Sequence, residues 1–124
     1  MKKRILVIDD SYYMRTLLRN ILEDGGYTVV DEAASGESAL KLVNKTKPDL
    51  ITLDLILPDD TGLKVLKKIK AAHPQIKVLV VSAVAQDKIV KEALELGAIN
   101  YIVKPFEEKK VLESVNEIFN ENKP

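Results

Sequence analysis

The sequence predicts a doubly wound α/β fold in three layers, with five parallel strands covered on both faces by five helices. Three observations carry this reading. Short apolar runs alternate with longer stretches of helical period, the runs are apolar at nearly every position instead of every second one, and the connections are short. Strands buried on both faces read this way, and parallel neighbours need right-handed crossover helices between them.

Each element has its own signal. Ile5 to Ile8 is the first strand, and Asp9-Asp10-Ser11 closes it while supplying capping side chains for a helix that begins there. Met14, Leu17, Leu18, Ile21 and Leu22 form one apolar stripe on that helix, which Gly25-Gly26 ends in the left-handed region. Thr28 to Ala33 is strand two. Ser35-Gly36 opens a shorter helix that turns Ala39, Leu40 and Val43 inward, and Lys47-Pro48 breaks it. Leu50 to Asp54, an apolar run between prolines 48 and 58 that ends in one acid, is the central strand. After a loop over 55–60, a helix from Thr61 to His73 buries Val65, Leu66, Ile69 and Ala72, and Pro74 stops it. Lys77 to Ser82 is strand four. Asp87 is the expected N-cap of a helix burying Ile89, Val90, Ala93 and Leu94, with Gly97 as its C-terminal glycine. Asn100 to Val103 is strand five, and a last helix turns Val111, Leu112, Val115, Ile118 and Phe119 inward.

Composition bounds the function. The 124 residues suit one domain spanning 1–124, with the tail 120–124 either a natural end or a linker stub. Nineteen basic against nineteen acidic residues leave no net field to attract nucleic acid or a membrane surface. The absence of cysteine excludes disulfides and thiolate chemistry, and no apolar run is long enough to be exported or to span a bilayer. A monomer in the cytoplasm is the expectation.

In doubly wound sheets ligands bind outside the carboxyl ends of the strands, which places Asp9, Asp10, Asp54, Ser82 and Lys104 at one edge. Three crowded carboxylates repel unless a divalent cation lies between them, and Mg2+ suits oxygen donors that share it with a phosphate. A carboxylate can itself accept a phosphoryl group, with Lys104 and Ser82 neutralising and hydrogen-bonding the oxygens; Asp54 is the best placed acceptor. Taken singly, the aspartates also suit caps and turns, Ser82 a loop and Lys104 solvent, and Tyr101 suits plain core filling. A nucleotide- or flavin-binding domain would want a glycine-rich loop where Asp9-Asp10-Ser11-Tyr12 stands. A hydrolase working through an Asp54 acyl phosphate would need a substrate-binding cap for which no residues remain. The single histidine, His73, reads as exposed and inert, and Lys64, Lys67, Lys68 and Lys70 as a solvated helix face. Tyr12 and Tyr13 offer a surface on which a kinase can dock.

Over its whole length the chain resembles the receiver domain of two-component response regulators. Asp9-Asp10-Ser11, Asp54 with Leu57-Pro58 and Gly62, Val81-Ser82-Ala83 and Lys104-Pro105-Phe106 carry the likeness. The resemblance implies a flavodoxin-like, CheY-like sheet of order 2-1-3-4-5, a cis Lys104–Pro105 bond, and Asp54 as phosphoacceptor. It implies Asp10 and Asp54 as direct Mg2+ ligands, Asp9 acting through water, and the Ile56 carbonyl as the remaining protein ligand. It also implies a switch in which Ser82 moves to the phosphoryl group and Tyr101 turns inward, reshaping the surface of helix four, strand five and helix five. Such a protein catalyses only its own phosphorylation and dephosphorylation. The implied partners are a sensor histidine kinase and a downstream target protein, a motility switch component being one candidate, with no direct contact to nucleic acid or membrane. Details around Met14-Arg15 and Ser82-Ala83 resemble stand-alone chemotaxis regulators. The alternatives are a receiver cut from a multidomain transcriptional regulator or a phosphorelay intermediate.

Overall fold

The computed structural model describes residues 2–120. Five strands, β1 (Arg4–Ile8), β2 (Thr28–Ala33), β3 (Leu50–Leu53), β4 (Lys77–Ser82) and β5 (Asn100–Val103), alternate with five helices. The helices are α1 (Tyr12–Asp24), α2 (Gly36–Thr46), α3 (Gly62–Ala72), α4 (Asp87–Glu95) and α5 (Glu108–Asn120). The strands form one parallel sheet in the order β2-β1-β3-β4-β5, as the resemblance implied. Residues 121–124, most of the tail considered above, lie outside the described residues.

The sheet divides the interior in two. On one face Leu6, Ile8, Ile51, Leu53, Val78 and Val80 pack with the inner sides of α2, α3 and α4. On the other, Ile5, Val7, Leu50, Leu79 and Val81 meet α1 and α5, so every central strand residue is buried, as a doubly covered sheet requires. Ser11, Ser35 and Thr61 cap α1, α2 and α3 by accepting from the backbone N–H three residues on.

Several sequence expectations are corrected. Gly26 takes the left-handed backbone at φ +95°, whereas Gly25 stays right-handed. Ala72, the last residue of α3, is exposed at the helix end, and Leu94 is exposed because α4 packs beside the edge strand β5 and buries only Ala93. Gln86, not Asp87, is the N-cap of α4, and its side chain makes no capping bond. Lys70 is not solvated: its Nζ donates to the Pro74 and Ile76 carbonyls at 2.8 and 2.9 Å and holds the turn before β4. His73 is half-buried, with Nε2 2.8 Å from Asn44 Oδ1. The central strand stops at Leu53, with Asp54 the first residue beyond it.

Thr52 carries a buried hydroxyl without a hydrogen-bond partner among the described residues. Valine has the same shape without the unsatisfied oxygen, whose burial costs about 1 kcal/mol or more. Thr52→Val is therefore expected to raise the urea midpoint of unfolding at unchanged slope; a lower midpoint would refute the assignment of an unpaired hydroxyl.

Candidate functional site at the carboxyl edge of the sheet

The ladder hydrogen bonds run past the strand ends and carry the polar residues with them. Asp9 N–H donates to the Ala33 carbonyl at 3.0 Å, Asp54 N–H to Ile8 at 3.0 Å and Lys104 N–H to Ser82 at 2.9 Å. Asp9, Asp54, Ser82 and Lys104 are thus brought to one point by β1, β3, β4 and β5. Asp9, Asp54 and Ser82 are 1%, 5% and 0% exposed, whereas Asp10 faces solvent.

Lys104 Nζ lies 2.6 Å from Asp9 Oδ2 and 2.9 Å from Asp54 Oδ2. The other Asp54 oxygen, Oδ1, accepts from Ser82 Oγ at 2.8 Å and from the Ile56 N–H at 3.1 Å. Asp9 Oδ1 accepts from the Ser11 N–H at 2.9 Å. One carboxylate oxygen from each of Asp9, Asp10 and Asp54 lies within 4.8 Å of the others. An all-oxygen set with two buried members, three negative charges and one ammonium fits a hard divalent cation such as Mg2+.

Burial, reinforced by the Asp54 charge, raises the Asp9 carboxyl above the usual carboxylate range, although Lys104 and the Ser11 N–H pull the other way. Burial opposes the Lys104 charge too, but its bonds to Asp9 and Asp54 outweigh that and hold the ammonium above its ordinary value. Lys104 is therefore a fixed positive charge at neutral pH.

Tyr101 is half-buried against the core, and its hydroxyl donates to the Val84 carbonyl at 2.5 Å. Ile56 is 54% exposed, so it meets Asp54 through its backbone and not through its side chain. The Lys104–Pro105 bond is cis. Gly62 stands where a Cβ would lie 2.3 Å from Leu55 Cα and 2.7 Å from the Asp54 carbonyl, which explains why a glycine follows this loop.

Three residues that were assigned no role at the site from sequence also touch this edge. Asp59 accepts from the Gly36 and Glu37 N–H groups at 2.8 and 3.0 Å, tying the loop after Asp54 to the start of α2. Those two backbone donors hold the Asp59 carboxyl below its ordinary value. Arg15 donates to the Asp9 carbonyl and to Glu32 on β2. A charged pair inside β2, Asp31-Glu32, was the available signal.

Fold and site together define a response-regulator receiver, and the comparisons agree: the response regulator receiver domain family matches residues 5–116, and the chain belongs to it. Protein CcdB of Bacillus subtilis is 48% identical over 93% of this chain and 96% of its own length. The chemotaxis protein CheY of Thermotoga maritima is 38% identical over 95% of this chain and 98% of its own. CheY in the CheX-CheY-BeF3-Mg+2 complex of Borrelia burgdorferi is similar in structure, with a TM-score of 0.92 at 32% identity, covering 94% of this chain and 89% of that one. The chain is accordingly a CheY-like signalling domain. Among the described residues no helix is long and apolar enough to cross a membrane.

Proposed function

We propose that residues 1–124 form one receiver that takes a phosphoryl group onto Asp54 from a sensor histidine kinase and then binds a downstream target protein. The observation that carries this is the Asp54 carboxylate, gripped on one oxygen by Lys104 and on the other by Ser82 and the Ile56 N–H, beside two further carboxylates. Asp9, Asp10, Asp54 and the Ile56 carbonyl would hold Mg2+, which when bound supplies charge neutralisation at the phosphoryl oxygens.

The residues divide the remaining work. An Asp54 oxygen forms the new bond to phosphorus as the donor's bond to phosphorus breaks, and the donor leaves with that electron pair. Lys104, charged throughout, stays beside the growing negative charge, and the Ser82 hydroxyl exchanges its Asp54 bond for a phosphoryl oxygen. That exchange moves Ser82, whose Oγ also accepts from the Val84 N–H at 3.4 Å. Tyr101 holds the carbonyl of the same Val84, so the residue joins the two switch side chains. Driving such a switch from 1:99 to 99:1 takes about 5.5 kcal/mol of differential interaction.

The test is to incubate the protein with Mg2+ and a small acyl phosphate and weigh it intact; a protein that gains no phosphoryl group overturns the proposal. Ile56 and Val84, two residues beyond Asp54 and Ser82, offer no side-chain hydrogen bond to orient an attacking water. Loss of the phosphoryl group is therefore expected to be slower than in an Ile56→Asn, Val84→Glu double variant. Equal decay rates would remove that explanation.

The protein is further proposed to act as a cytoplasmic monomer of the stand-alone chemotaxis type, on a motility switch component. Two relatives named as CheY support this subtype. A second reading, a phosphorelay intermediate or the receiver of a transcriptional regulator, is supported in its first form by the 35% identity over 93% of this chain to the sporulation initiation phosphotransferase F of Bacillus subtilis. A pull-down with the beryllofluoride form separates them: capture of a motility component supports the first, and capture of a phosphotransfer protein the second.

A further inference from the structure

We infer that Arg15 is a positioning residue for the acidic cluster: by binding the Asp9 carbonyl while braced on Glu32, it sets the Asp9–Asp10 peptide and so aims the Asp10 carboxylate. The inference rests on the reading of this cluster as a cation site.

Asp9 and Asp10 are held in different ways. The Asp9 side chain is fixed on both oxygens, by Ser11 and Lys104, and its N–H is fixed by β2. Asp10 faces solvent, and among the described residues no hydrogen bond restrains its carboxylate. Its place in the cluster is therefore inherited from its backbone, whose leading peptide unit is the one that carries the Asp9 carbonyl.

That carbonyl accepts from Arg15 Nη1 at 2.8 Å. Arg15 Nε lies 3.1 Å from Glu32 Oε1, with side chains 15% and 22% exposed, and Arg19 Nε binds the other Glu32 oxygen at 2.6 Å. A planar guanidinium held at one nitrogen has little freedom at the next, so the brace on Glu32 carries over to the carbonyl. Arg19 shares Glu32 but does not reach Asp9, which makes it the natural control.

Charge and positioning predict opposite signs. Removing a cation beside a divalent-metal site strengthens metal binding by Coulomb attraction alone, whereas loss of an orienting partner typically weakens it by about tenfold or more. Mg2+ affinity of the full chain, by titration calorimetry, and backbone order at residues 10 and 11 in the metal-free protein, by NMR relaxation, are the two measurements. Arg15→Met is expected to bind Mg2+ about tenfold more weakly and to lower the Asp10 order parameter from about 0.85 towards 0.6. Arg19→Met is expected to change neither, while losing thermal stability of its own. Unchanged or tighter Mg2+ binding with a rigid Asp10 in Arg15→Met overturns the inference, as does an equal loss in Arg19→Met. If Arg15→Met does not fold, Arg15→Gln, polar but too short to span both partners, replaces it. If the parent itself binds no Mg2+, the cation-site reading fails and the order parameters alone decide the role of Arg15.

Discussion

Asp54→Asn is expected to abolish the phosphoryl adduct that the parent protein forms with Mg2+ and an acyl phosphate. Asparagine keeps the size of the side chain and an Oδ1 that can accept from Ser82 and Ile56, so the loop and β4 have no cause to move. It loses the anionic oxygen that attacks phosphorus. The expected effect is complete, because a neutral amide does not replace a carboxylate as nucleophile. Stability is expected to change little, since Lys104 loses one partner but keeps Asp9, and Asp9 loses a repelling neighbour. A mass adduct that persists in Asp54→Asn, in a protein with a native unfolding transition, would place the chemistry on another residue.

Lys104→Met should cost about 3 kcal/mol of stability near pH 7 in the absence of Mg2+, because it leaves Asp9 and Asp54 buried without their shared counter-charge. The pH dependence separates this charge effect from lost packing. Asp9 holds its proton more tightly folded than unfolded, so its contribution is fully present below the ordinary value of 3.8 and is lost as pH rises through its folded value. Without Lys104 that loss deepens. The Lys104 contribution in the parent is fully present below the ordinary value of 10.5 and is lost as pH rises through its own raised value. The stability difference between parent and variant should therefore be small in acid, open on the way to neutrality and close again in strong alkali. Urea unfolding across pH measures it, and a difference that stays constant would mean that Lys104 acts through packing alone.

The fold was legible because burial on both faces leaves a coarse mark. β2, β4 and β5 fall where the apolar runs predict, and Ser11, Ser35 and Thr61 cap the helices that follow them. Helix α4 was less legible, since apolar period reports which residues share a face but not whether anything covers it. Beside the edge strand β5, Leu94 falls on the flank of the apolar stripe, one residue past the buried Ala93, and stays exposed. Lys70 misled for a related reason: a lysine whose stem crosses a turn reads in sequence like any solvated lysine.

The acidic and basic residues of the site were legible because strand ends at one edge must converge. Arg15, Glu32 and Asp59 were not, because Arg15 meets a backbone carbonyl outside its own helix, Glu32 meets arginine side chains 17 and 13 residues away, and Asp59 meets N–H groups 23 and 22 residues away. No local spacing records that Arg15 meets the Asp9 carbonyl or that Asp59 meets the start of α2.

The loop between Asp54 and Gly62 is a short span clamped at both ends. The sheet ladder grips it at Asp54, the close approach of Gly62 to Leu55 grips it at the far side, and Asp59 ties it to α2 on the way. The exposed Ile56 side chain stands two residues beyond Asp54, on the residue whose N–H grips the Asp54 carboxylate. One residue thus presents its side chain to solvent and its backbone to the acid, so the rim of the site and the carboxylate share a single piece of chain.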